Sequence, residues 1–197
     1  MREGLATDRS GIATVAPETV SRYRRPVAFL DFDGVVSPIA GAHMPPLPRT
    51  WSTWRRLSVG MPAFVAPECI ERLTALPVER IWCSTWQGMV DGDNGLSVQL
   101  GWPGMAWLRL PPGDRPWDKR RAIEGWFAEH GEAQPFIWAD DDRRLDLSGR
   151  PWVGRLSVPS LLIRPQKNIG LTPDHLNAME RWLSQFGALC GAADERA

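Results

Sequence analysis

Four short apolar runs set the rhythm of the chain. They are Val27 to Leu30, Ile81 to Cys83, Phe136 to Ala139 and Ser160 to Ile163. None alternates with polar residues, so each predicts a strand buried on both faces. Helical spacing fills the gaps between them. From Pro67, a proline near the start, Glu68 in the first turn and Ile70, Leu73 and Leu76 on one face predict a helix that Pro77 stops. Ala122, Ile123, Trp126 and Phe127 predict a second, from Lys119 to about His130, capped by Asp118 and ended by Gly131. Thr172-Pro173-Asp174 starts a third, with Leu176, Met179, Leu183 and Phe186 on its face and Gly187 closing it. Residues 51–65 read as a hairpin turning near Gly60, and Trp107 to Leu110 as a short strand. Five glycines between 87 and 105 leave little helical signal there. Apolar strands alternating with amphipathic helices predict an α/β fold: a Rossmann-like, mainly parallel sheet with helices on both faces.

Bulk properties change this picture little. A chain of 197 residues suits one domain, with length to spare for an insertion. Residues 1–25 read as a flexible leader, 26–187 as the folded domain with a loop-and-hairpin insertion at 38–66, and 188–197 as a tail. Lys plus Arg and Asp plus Glu are both 23, which removes a global basic field for nucleic acid or anionic lipid. Three cysteines without a CxxC pattern read as reduced thiols, fitting a cytoplasmic protein. No apolar run is long enough for a signal peptide or a membrane span, so no membrane partner is expected. Eleven tryptophans against one tyrosine is an unusual ratio. Compositional bias explains it as well as any stacking surface does.

The chemistry lies where the strands stop. Val27 to Leu30 runs into Asp31-Phe32-Asp33-Gly34, two carboxylates one residue apart. Residues i and i+2 of an extended chain point the same way, and carboxylates held that close repel unless a cation or a shared proton relieves them. An Asp-Gly turn is the plain alternative. The second run ends in Ser84-Thr85 and the third in Asp140-Asp141-Asp142. In open α/β sheets ligands bind at the carboxyl ends of the strands, so parallel neighbours would bring these ends to one point. Carboxylates that hold Mg2+, a hydroxyl and a lysine form a set suited to phosphoryl transfer. Lys119 supplies the lysine, at a predicted helix start that also favours an anion.

The order Asp31-x-Asp33-Gly34, Ser84, Lys119, Asp140-Asp141 resembles the four motifs of the haloacid dehalogenase-like (HAD) superfamily. Trp82-Cys83-Ser84-Thr85-Trp86, Lys119-x-x-Ala122-Ile123, Trp138-Ala139-Asp140-Asp141-Asp142 and Leu161-Leu162-Ile163 followed by Gly170-Leu171-Thr172 are similar to the HAD domain of Swiss army knife RNA-repair proteins. The likeness runs from about Val27 to Phe186. It implies a HAD-like fold with a minimal cap. It also implies that Asp31 is the nucleophile and Asp33 the general acid and base. Ser84 or Thr85, Lys119 and the Gly34 turn would contact the phosphoryl group. Asp31, Asp33, the Val35 carbonyl, Asp140 and Asp141 would be the Mg2+ ligands. Asp142 adds a third consecutive carboxylate, which leaves open which two serve the metal. Position 35 is Val where many members have Thr.

The implied activity is Mg2+-dependent hydrolysis of phosphate monoesters through an aspartyl-phosphate. A small insertion leaves the site open, so the substrate is a phosphorylated small molecule, a nucleotide or a nucleic-acid end. Arg49, Arg55 and Arg56, with Trp51 and Trp54, are candidates to grip a phosphate backbone and stack a base. Trp86 and Trp117 are further stacking candidates. Ordinary packing is the alternative for all of these. The competing function is a regulatory module that keeps the metal and phosphate site without turnover.

Overall fold

The computed structural model describes residues 12–15, 25–39, 47–59, 62–86, 95–110, 119–131 and 134–194. Asp118, Trp117 and the turn at Gly60 lie outside them. In chain order the elements are β1 (Ile12–Val15), β2 (Val27–Leu30), β3 (Arg55–Ser58), β4 (Pro62–Val65), α1 (Pro67–Ala75), β5 (Glu79–Trp82), α2 (Leu96–Gln99), β6 (Ala106–Trp107), α3 (Lys119–Glu129) and β7 (Phe136–Ala139). A wide π-type turn, Leu145–Gly149, then leads into α4 (Arg150–Val153), followed by β8 (Ser160–Ile163) and α5 (Pro173–Asp194).

All four apolar runs contribute strands. The main sheet has the order β1-β8-β7-β2-β5-β6. From β8 to β6 every pairing is parallel. β1 adds antiparallel to β8 at one edge, a strand that no pattern before Val27 predicts. β2 lies between β7 and β5, with Leu30 level with both Ala139 and Trp82. The residues that follow these three positions are therefore neighbours.

The sheet is covered on both faces, as its unbroken apolar strands require. Ala28 and Leu30 of β2 join the core under α1, α5 and the hairpin, with Leu57, Val65, Leu73 and Met179. Val27 and Phe29 join the core under α3 and α4, with Ile123, Trp126, Phe127 and Trp152. The predicted apolar face of α3 is buried, and Lys119 lies on that same face one turn before Ala122 and Ile123. The helix thus carries an ammonium group into the interior.

The hairpin forms as β3 and β4, paired antiparallel. α1 begins at Pro67 and ends just before Leu76, whose extended backbone leads to Pro77. Thr172 caps α5 by accepting from the His175 amide at 3.4 Å. α5 does not stop at Gly187 but continues to Asp194. Its neighbours are good helix formers, and one glycine costs only about 1 kcal/mol.

Candidate active site

The three chemistry-bearing strand ends meet. The Asp31 amide donates to the Ala139 carbonyl at 3.0 Å, and the Cys83 amide donates to the Leu30 carbonyl at 2.8 Å. These bonds continue the parallel ladders one residue past the strands, so Asp31, Ser84 and Asp140 stand side by side. Lys119 enters from the start of α3. Its ammonium makes a short ion pair with Asp31 Oδ2 and a second with Asp140 Oδ2 at 2.8 Å. All three side chains are buried.

Burial sets the electrostatics. It opposes the Lys119 charge, yet the Asp140 and Asp31 carboxylates outweigh it and raise the lysine's pKa. Lys119 is a permanent cation. Burial raises Asp31, although Lys119 and a hydrogen bond from the Ser84 hydroxyl pull the other way. Burial likewise pushes Asp140 up to about 6 against the pull of Lys119. Asp141 is raised by burial and by its neighbour Asp140. The site is short of positive charge.

Asp31, Asp140 and Asp141 each place an oxygen within 4.8 Å of the others. Opposite ligands of an octahedral Mg2+ lie about 4.2 Å apart, so small side-chain shifts close this set around one ion. Three carboxylates and one ammonium leave a formal charge of −2, which a single divalent cation neutralises. An all-oxygen donor set suits a hard ion such as Mg2+. The residues fit the metal that the motifs imply.

Other predicted participants have contacts of their own. The Asp33 carboxylate is not in the three-carboxylate group. Its Oδ2 accepts from the Trp86 indole Nε1 at 2.7 Å, and burial raises its pKa. The i, i+2 expectation lapses because β2 ends at Leu30. The chain then curls, with the amides of Val36 and Ser37 both donating to the Phe32 carbonyl at 2.9 Å. The Val35 carbonyl, expected as a metal ligand, accepts from the Leu171 amide at 2.8 Å. In the Gly34 turn, expected near the phosphoryl group, the Gly34 amide donates to the Ser37 carbonyl at 2.7 Å. Gly34 matters in another way. Its φ is +70°, and a Cβ there would lie 2.5 Å from Asp141 Cγ. Only glycine lets the loop after β2 press against that carboxylate.

The residues at the other strand ends are placed differently. Ser84 is buried on Asp31, whereas Thr85 is exposed. Asp140 is fixed from three sides: by Lys119, by the Asp142 amide at 3.0 Å and by Trp138 Nε1 at 3.3 Å. Asp142 caps the following turn through the Arg144 amide at 2.9 Å and stays out of the cluster. Trp86 is no stacking platform: it is buried edge-on against Phe32. Trp51 is buried with its indole on the Leu171 carbonyl at 2.8 Å, and Trp54 Nε1 donates to the Pro48 carbonyl at 3.0 Å. The partners of Asp33 and Asp140, Trp86 and Trp138, escape a motif-based reading. Their one sequence signal is that a buried indole N–H beside an Asp-rich loop needs an acceptor.

A sequence model for the HAD domain in Swiss Army Knife RNA repair proteins matches residues 27–176. The chain belongs to this family. The match begins at β2 and ends within α5, so it takes in all four strand-end and helix-start residues of this HAD site. No curated protein and no solved structure matches the chain. Among the described residues no helix is long and apolar enough to cross a membrane.

Proposed function

We propose that this HAD domain is a Mg2+-dependent phosphatase that hydrolyses phosphate monoesters through an aspartyl-phosphate on Asp31. One observation carries the proposal: Lys119 bridges Asp31 and Asp140 at adjacent parallel strand ends, with the Ser84 hydroxyl on Asp31. A buried carboxylate between a fixed cation and a hydroxyl donor is held as a nucleophile, and those same donors suit the oxygens of a transferring phosphoryl group.

In the first step an Asp31 oxygen attacks phosphorus and the bond to the leaving oxygen breaks. Protonated Asp33 gives that oxygen its proton. In the second step water attacks phosphorus, Asp33 takes a proton from it, and inorganic phosphate leaves Asp31 free. Lys119 and Ser84 hold the non-bridging oxygens throughout. Asp31, Asp140 and Asp141 are the residues to hold Mg2+, which when bound supplies positive charge to offset the phosphate.

The family's description names RNA repair, and the minimal cap leaves room for a bulky leaving group. Both favour nucleic-acid ends or nucleotides over a single small metabolite. A screen of phosphorylated metabolites, nucleotides and 3′- or 5′-phosphorylated oligonucleotides with Mg2+ tests the proposal. Phosphate release by the wild type and at least about a thousandfold loss in Asp31→Asn is expected. If the two proteins are equally inactive on the whole panel while binding Mg2+ and phosphate, the domain is a binding module and the proposal fails.

A further inference from the structure

Trp86 lies four residues beyond the end of β5. Its indole Nε1 donates to Asp33 Oδ2 at 2.7 Å, and among the described residues it is the only hydrogen-bond donor to that carboxylate. The ring cannot swing away. It is 6% exposed and packs against Phe32 with ring centroids 4.8 Å apart at 61°. Phe32 is itself fully buried between the two aspartates in sequence. One edge of the Asp33 carboxylate is therefore fixed in place by a rigid side chain.

We infer that Trp86 is a positioning residue for proton transfer by Asp33, acting on the step that expels the leaving group. The inference rests on the phosphatase reading. An indole can donate but cannot accept a proton bond. Bound to Oδ2, it favours the transferable proton on Oδ1, because the carbonyl oxygen of a carboxyl is the better acceptor. Asp33 is thus held as a single, oriented acid. Without the indole the carboxyl can rotate and present either oxygen, and a misplaced general acid loses much of its effect. In the step itself the Asp33 Oδ1–H bond breaks as the P–O bond to the leaving group breaks. The leaving oxygen takes the proton, and Asp33 is left as a carboxylate.

A purely structural tryptophan would affect all substrates alike. A positioning role would not, because a good leaving group departs without protonation. The test compares kcat/KM on an alkyl phosphate and on a nitro-substituted phenyl phosphate, since this parameter ends at leaving-group expulsion. Trp86→Phe removes the donor and some volume. Replacement of Trp86 by β-(3-benzothienyl)alanine removes only the N–H and guards against misfolding in the first variant. Each variant is expected to lose about tenfold or more on the alkyl phosphate and about twofold or less on the nitrophenyl phosphate. An equal loss on both substrates, or no loss with the benzothienyl residue, overturns the inference. Wild type and Asp31→Asn run in parallel: inactivity of both overturns the phosphatase reading and this inference with it. An active wild type with an unchanged leaving-group dependence in the variants overturns the inference alone.

Discussion

Two parts of the molecule place cations and tryptophans near the loop after β2, and they are built in opposite ways. At the ends of β2, β5 and β7 the buried charged and indole groups hold one another. Lys119 has Asp31 and Asp140, Asp33 has Trp86, and Asp140 also has Trp138. On the β3–β4 hairpin the tryptophans turn inward and the arginines outward. Trp51 is bound to Leu171, while Arg49, Arg55 and Arg56 are exposed. The groups proposed for the chemistry sit on the sheet, and the arginines proposed for recognition sit exposed on the insertion, where Arg55 also donates to the Gln99 carbonyl.

Removing Lys119 should do the most damage. Lys119→Met leaves Asp31 and Asp140 buried together without their cation. Loss of one partner of a buried pair costs about 3–5 kcal/mol. Urea unfolding in EDTA should show that cost, Mg2+ should recover part of it, and phosphatase activity should vanish. A variant as stable as wild type in EDTA would mean that the strand ends do not depend on the ion pair.

Next comes the strand end after β5. Ser84→Ala is expected to lower kcat/KM about tenfold or more by removing one donor to the nucleophile and its phosphoryl group. Thr85→Val, at an exposed neighbour, should change it by about twofold or less. A reversal of these two effects would move the phosphoryl site to the other face of the strand end.

A smaller effect is expected from pH. Asp140 has its folded value raised to about 6 from an unfolded 3.8. The metal-free fold therefore binds more protons than the unfolded chain between these values. Its contribution is fully present below about 4 and is lost as pH rises through about 6. Melting in EDTA should fall over that window, and Mg2+ should stabilise more at pH 7.5 than at pH 5. A gain from Mg2+ that ignores pH would count against a site made of these carboxylates.

The hairpin should respond least. The double change Arg55→Ala and Arg56→Ala is expected to leave hydrolysis of an aryl phosphate unchanged. If recognition resides there, KM for a phosphorylated oligonucleotide rises several-fold and the rise shrinks with salt. Equal kinetics on both substrates would leave the hairpin with a structural role only.

The legible features of the sequence were local or periodic. Apolar runs gave the four long-range parallel strands, and the 119-122-123-126 spacing gave the buried face that delivers Lys119. Asp31, Ser84 and Asp140 came together because parallel neighbours end at one edge. What escaped depended on single side-chain directions or on partners far along the chain. The curl after Leu30 separates the Asp31 and Asp33 carboxylates, and no i, i+2 rule applies once a strand has ended. The Leu171 amide on the Val35 carbonyl is a contact 136 positions away that no local pattern announces. β1 was invisible because four residues pairing with a distant edge leave no pattern of their own. Trp86 stays open between stacking and packing in the sequence, which shows an aromatic ring but not where its N–H points.

Leu171 has one further consequence. Its amide holds the Val35 carbonyl, and its own carbonyl holds the Trp51 indole. Ser37 Oγ adds a third tie by accepting from the Phe64 amide at 3.2 Å, and the Arg55 guanidinium reaches the Gln99 carbonyl at 2.7 Å. The described part of the insertion is stitched to the body on several sides, as a fixed rim. Capture of a substrate then needs no opening stroke. Its association rate should follow diffusion and charge, and crowding the solution with viscogen should slow it in proportion.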